Sequence, residues 1–224
     1  MKNVTLASNR GGAFPAAWLR DCRGSSAVEF ALLLPILLVL TFAIIDFGRL
    51  VFEFAMAEKA TQRGVRVAIV SDPVATDLRN FDCMNSTVGP GMACNTAGAD
   101  TLPNVSCSKS GGSGSCSNWT DGFDDAAFTA IVTQMQGLSP RIQPENVVIE
   151  YRNTSLGFAG QSGVGAPPVV LVTVSLRNMT FNFLAVDRLI NMFASMFGGG
   201  MAGSLTMPGF AASLTSEDLR TVGS

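Results

Sequence analysis

The feature that most constrains this chain is an apolar block of nineteen residues, 27–45. As an α-helix it is about 28 Å long, close to the ~30 Å hydrocarbon core of a bilayer, so it can span once. A helix is also the form that satisfies every backbone group of a single segment in lipid. Two residues are unusual for a plain anchor. Glu29 lies in the first turn and Pro35 about a third of the way along. A charge at the bilayer centre costs roughly 2.5–3.5 kcal/mol, and less near the interface, unless a partner relieves it. A proline inside a helix removes one backbone bond and tends to kink it, which membrane helices tolerate through neighbouring contacts.

The flanks give the block a direction. Residues 1–24 carry Lys2, Arg10, Arg20 and Arg23 against Asp21, with Gly11, Gly12 and Pro15 discouraging a long helix. This basic leader stays on the cytoplasmic side, and the chain beyond the block is exported. After Ile45 the three-and-four spacing continues through Phe47, Leu50, Val51, Phe54, Ala57, Thr61, Val65 and Ala68. Arg49, Glu53, Lys59, Arg63 and Arg66 occupy the other side. Ala60, Gly64 and Ala68 form a stripe of small residues on which another element can pack closely. Asp46 and Arg49 are spaced to pair on one helix face, an exposed arrangement worth a few tenths of a kcal/mol. Ser71-Asp72-Pro73 stops the pattern. Residues 25–71 therefore read as one helix, half in lipid and half an amphipathic stem.

Residues 72–224 read as a small exported domain. Within it, 80–120 are dominated by turn formers, including Gly89-Pro90-Gly91 and the Ser/Gly run 110–115, and are expected to be surface loop. That region holds Cys83, Cys94, Cys107 and Cys116; Cys22 lies in the leader. An even set without paired C-x-x-C spacing points to disulfides in an oxidising compartment rather than to a zinc site. Four cysteines allow three connectivities, of which Cys83 with Cys94 and Cys107 with Cys116 closes the shortest loops. Residues 124–137 pattern as a short amphipathic helix with Phe128, Ile131, Val132 and Met135 on one face. Residues 147–152 and 169–177, rich in β-branched side chains, pattern as antiparallel strands. A second helix over 181–197, a last strand near 203–207 and a polar, mobile tail after Leu214 complete the expectation. The fold class is α+β: a long N-terminal helix, then an antiparallel sheet with one or two short helices.

Composition removes several functions. The chain has no histidine, which excludes Ser-His-Asp and Cys-His catalysis and most catalytic zinc sites. A net charge of −2 and the lack of a basic stripe argue against nucleic acid. Ser106-Cys107-Ser108-Lys109 matches S-x-x-K formally, but no Lys-Thr-Gly comes after it and the segment is not a helix start. Asn-x-Ser/Thr triplets such as Asn118-Trp119-Thr120 are polar loop residues. No cofactor or metal site is expected, and the chain is not expected to be an enzyme.

The junction ahead of the block decides among the rest. It reads Arg23-Gly24-Ser25-Ser26-Ala27-Val28-Glu29-Phe30-Ala31-Leu32-Leu33-Leu34-Pro35. If a peptidase cuts after Gly24, the new amine belongs to Ser25 and Glu29 lies one helical turn further on, where the amine can neutralise it. The junction resembles the prepilins of tight-adherence (Flp/Tad) pili, and Glu29-Phe30 through Pro35 with Asp46-Phe47-Gly48-Arg49 resembles the signature of TadE-like proteins. The resemblance covers residues 20–68. It implies a pilin-like fold, cleavage by a prepilin peptidase between Gly24 and Ser25, and assembly contacts through Glu29 and Phe30. It implies a single-pass protein of the bacterial inner membrane whose N-terminal helix meets other pilins or pilus-assembly proteins. The length far exceeds that of a major Flp pilin, so a minor pilin or pseudopilin is expected. The competing reading is a secreted periplasmic binding protein or adhesin with a conventional signal peptide cut after Ala55-Met56-Ala57, a site some ten residues beyond the apolar run.

Overall fold

A helix, α1, runs unbroken from Ser25 to Ala68 in the computed structural model, passing through Pro35. The structure describes residues 25–81, 83–100, 103–118, 122–159, 169–184, 187–188, 191 and 204–216. The chain divides into two units, Met1–Ile45 and Asp46–Ser224.

In the first unit no described side chain is buried. Val28, Leu33, Ile36, Leu40 and Ile44 are each more than half exposed, as a lipid-facing segment requires. Thr41 is accommodated because its hydroxyl donates back to the carbonyls of Leu37 and Leu38, at 3.0 and 2.9 Å. The helix is long and apolar enough to cross a membrane once.

The second unit is built around a five-stranded antiparallel sheet. Its strands are β1 (Val105–Ser110), β2 (Ser113–Cys116), β3 (Val147–Leu156), β4 (Val169–Leu176) and, nearer the C-terminus, β7 (Phe210–Thr215), in the order β2-β1-β3-β4-β7. Helix α2 spans Asp125–Gln136, and β5 (Thr180–Asn182) pairs with β6 (Ser204–Thr206) in a separate two-stranded sheet. Alternate residues of the central strands, Val147, Ile149 and Tyr151 on β3 and Val170, Val172 and Val174 on β4, are buried to 1% exposure or less. They share one hydrophobic core with Phe128, Ile131, Val132 and Met135 of α2 and with Ala57, Ala60, Val65 and Ala68 of α1.

The small-residue stripe explains how the stem enters that core. At Gly64 a Cβ would stand 2.7 Å from the sulfur of Met135 and 3.3 Å from Cγ1 of Val174, so α2 and β4 both approach the bare backbone of α1. The chain leaving α1 is tied down by Tyr151, whose phenol oxygen accepts the Val74 N–H at 3.0 Å. Burial pushes the Tyr151 phenol well above its ordinary pKa, and it stays neutral.

Three expectations are corrected. Residues 105–116 are not loop: β1 and β2 form a hairpin joined by Gly111-Gly112, both at positive φ (57° and 88°). That is the backbone a two-residue primed turn demands, and glycine supplies it without strain. Phe181 lies on β5 rather than at the start of a second helix. Of the 181–197 expectation, Asp187, Arg188 and Asn191 are helical and most of the remainder falls outside the described residues. β7 extends to Thr215, and the Ser216 N–H reaches the Val170 carbonyl at 2.8 Å, so an ordered strand occupies the start of the expected tail. Residues 217–224 lie outside the described residues. The expected strand near 203–207 is present as β6, and the expected helix over 124–137 as α2.

Candidate functional site

The residues singled out in the sequence fall in three places. Gly24 lies outside the described residues; Ser25 begins α1, and Glu29 and Phe30 lie within its first two turns. Glu29 follows Ser25 by four positions of α-helix, an axial rise of about 6 Å and about one turn, so the two share a helix face. Phe30 is 62% exposed. A cleaved chain would present its new α-amine at the positive end of the helix, with the Glu29 carboxylate within side-chain reach on the same face.

The cysteines divide into two bridges at separate places. Cys107 pairs with Cys116 across the β1–β2 ladder, where the two residues are direct register partners, and Cys107 is fully buried in the main core. Cys83 pairs with Cys94 in the preceding loop, around which Val88 and Ala159 make a second, small apolar cluster. That loop is fastened to the segment after β3: the Cys94 N–H donates to the Gly157 carbonyl at 3.0 Å and the Ala159 N–H to the Met92 carbonyl at 2.8 Å. Closing loops of nine and eleven residues restricts the unfolded chain around each bridge.

The third place is the Asp46-Phe47-Gly48-Arg49 segment at the start of the second unit. Asp46 is 1% exposed. Nη1 of Arg49 lies 3.3 Å from Oδ1 of Asp46 and Nη2 lies 3.7 Å from Oε1 of Glu53. Glu53 in turn accepts from Nη1 of Arg141 at 2.7 and 2.8 Å. The Arg49 guanidinium also sits 5.6 Å from the centre of the buried Phe181 ring, a cation–π arrangement. This is more than the exposed pair read from the sequence. It is a partly buried network that holds α1 against the turn after α2 and against β5, and such networks rigidify when every member is satisfied. Arg141 is 88 positions from Glu53. No local sequence signal could announce that contact; the spacing of Asp46, Arg49 and Glu53 three and four residues apart is the nearest hint.

Ser106 and Lys109 of the S-x-x-K match lie three residues apart on β1 and therefore on opposite faces of the sheet. Lys109 Nζ donates instead to Asp125 at the start of α2. At the same helix start Asp124 caps α2, accepting the Ala127 N–H at 2.9 Å. That bond, helped by the Arg79 guanidinium, holds the Asp124 carboxyl below the ordinary value of 3.8. Among the described residues there is no group of three or more Cys, Asp or Glu placed to hold a metal ion.

Comparison with known proteins gives one match, and it falls on the first and third of these places. No curated protein and no solved structure matches the chain. The model of the family described as TadE-like protein matches residues 24–66, from Gly24 through Glu29 and the Asp46–Arg49 segment to within two residues of the end of α1. Over residues 24–66, which hold the apolar half of α1 and most of the helix beyond it, the chain is similar to the TadE-like family.

Proposed function

We propose that this chain is a minor pilin or pseudopilin of a tight-adherence pilus, cut by a prepilin peptidase between Gly24 and Ser25 and held in the bacterial inner membrane by α1. Its leader faces the cytoplasm and its α+β domain the periplasm, where the two disulfides can form. The observation that carries this reading is the extent of the family match, which starts on Gly24 itself and runs along one continuous helix. In this reading Glu29 pairs with the Ser25 amine of its own or a neighbouring subunit and sets the axial register between packed helices. Phe30 and the exposed apolar face of α1 contact those neighbours. The domain contributes no chemistry of its own.

The fold also weighs against conventional secretion. Ala55-Met56-Ala57 lies inside α1, and Ala57 is fully buried in the domain core. A cut there would remove Glu53 and Arg49, and with them the network to Arg141.

The test is the mature N-terminus, read by mass spectrometry of membrane fractions. The expected first residue is Ser25, and Gly24→Leu should leave the full-length precursor. A start at Glu58 would refute the proposal in favour of a signal peptide. Glu29→Gln should still be cleaved but should lose crosslinking to other pilus components, because removing one partner of a desolvated ion pair leaves the other charge uncompensated. Undiminished crosslinking and piliation would remove the charge-pairing role.

A further inference from the structure

The basic side chains of the second unit are mostly neutralised within it. Arg49, Arg79, Lys109, Arg141, Arg152 and Arg177 each reach a carboxylate. Lys59, Arg63 and Arg66 differ. Among the described residues none of the three pairs with a carboxylate, although all lie on the same two turns of α1. With Gln62 they line an open recess of about 330 Å³, and among the described residues no apolar and no acidic side chain contributes to it. At 3.6 residues per turn the four side chains fall within an arc of about 100°, and the cations extend about 10 Å along the axis. Arg63 is held in position by a neutral acceptor, its Nη2 2.7 Å from Oε1 of Gln134 on α2, which fixes the guanidinium without cancelling its charge.

Like charges four residues apart destabilise a helix, so this face is unfavourable in the isolated chain. We infer that it is a docking surface for an acidic helical segment of a different protein, one whose carboxylates recur three and four residues apart and so match Lys59, Arg63 and Arg66. A second copy of this chain does not supply that pattern. The carboxylates of α1 are Glu29, Asp46, Glu53 and Glu58 and that of α2 is Asp125, so neither helix carries acids three and four residues apart. A lipid surface would be met by apolar side chains interleaved with the cations, and among the described residues the recess has none. Nucleic acid needs a longer run of phosphate contacts than three cations on a chain of net charge −2 provide. The inference rests on these side chains and not on the pilus reading, which could fail without it.

The test uses the full chain in nonionic detergent and a fluorescein-labelled helical peptide bearing Glu at positions i, i+4 and i+7, read by fluorescence anisotropy at low salt. The parent should bind this peptide and should not bind the same peptide with Gln at those positions. The triple change Lys59→Glu, Arg63→Glu, Arg66→Glu should weaken binding about tenfold or more, as expected for several exposed ion pairs lost together. The same variant should gain affinity for the peptide carrying Lys in place of Glu, a reversal that a misfolded protein would not show. Lys59→Gln with Arg66→Gln, which keeps the Arg63–Gln134 bond, should give an intermediate loss. The N-terminal basic residues are common to all variants and cancel in the comparison. Equal binding of the Glu and Gln peptides would overturn the inference. So would a triple variant that binds like the parent, or binding of the parent to phosphatidylglycerol vesicles through these three residues and not to the peptide.

Discussion

Replacing Gly64 by alanine sets two helix effects against each other. Removing an interior glycine favours the helical state by about 1 kcal/mol. The added Cβ, however, would lie 2.7 Å from Sδ and 2.9 Å from Cγ of Met135, and 3.3 Å from Cγ1 of Val174. Met135 is fully buried and has no solvent-facing space into which to swing. Overpacking of this kind costs about 1–3 kcal/mol, so Gly64→Ala should be destabilising by up to about 2 kcal/mol net. Gly64→Leu gains no more propensity than alanine and places three further carbons in the same gap, so its loss should be about 3 kcal/mol or more. Met135→Ala alone should cost about 2–5 kcal/mol through the cavity it leaves. In the Gly64→Leu background that cavity is filled, and the two changes should couple by about 1 kcal/mol or more. The assay is urea unfolding of the full chain in nonionic detergent, tracked by far-UV circular dichroism, with all four members of the cycle compared. If Gly64→Ala raises stability by its full propensity gain and the cycle shows no coupling, the close approach of α1 to α2 is wrong.

Tyr151→Phe should cost about 1–3 kcal/mol, because the buried Val74 N–H loses its acceptor; an unchanged urea midpoint would mean that water or another group replaces the phenol. Replacing Cys107 and Cys116 together by serine should lower stability by about 2–3 kcal/mol from loop entropy, and alkylation of the unreduced, denatured parent should find Cys83, Cys94, Cys107 and Cys116 all unreactive. The folded pKa of Asp124 is lowered, chiefly by the Ala127 N–H and further by Arg79, so the stability it contributes is present above the ordinary value of 3.8 and is lost as pH falls through the lower folded value. Asp124→Asn keeps the cap and removes the charge, and it should flatten that acid limb; a pH profile identical to the parent's would remove Asp124 from the account.

The elements legible in the sequence are those whose own period announces them. The apolar block and the three-and-four spacing after it predict a helix ending near Ser71, and α1 ends at Ala68. Phe128, Ile131, Val132 and Met135 mark α2, and β-branched runs mark β3 and β4. β1 and β2 escape such a reading because serine, glycine and lysine have little strand propensity, and their pairing depends on Gly111-Gly112 and on packing against β3. The hairpin is nonetheless announced by a two-residue glycine turn set symmetrically between Cys107 and Cys116. β5 and β7 escape it for a different reason: short segments such as Thr180–Asn182 take their conformation from the strand beside them.

The sequence by itself determined the membrane-spanning length of the apolar block, the place of Glu29 on α1 and the α+β class, because each rests on the spacing of residues along the chain. Only the tertiary structure decided that the stem is part of the domain core, that Asp46 and Arg49 extend through Glu53 to Arg141 and Phe181, and that Lys59, Arg63 and Arg66 remain together without a carboxylate among the described residues. Those facts depend on which side chains meet across separations of tens of residues. Chain-local periodicity shows which face of a helix is apolar, but it carries no information about what will cover that face or which charges will find a partner there.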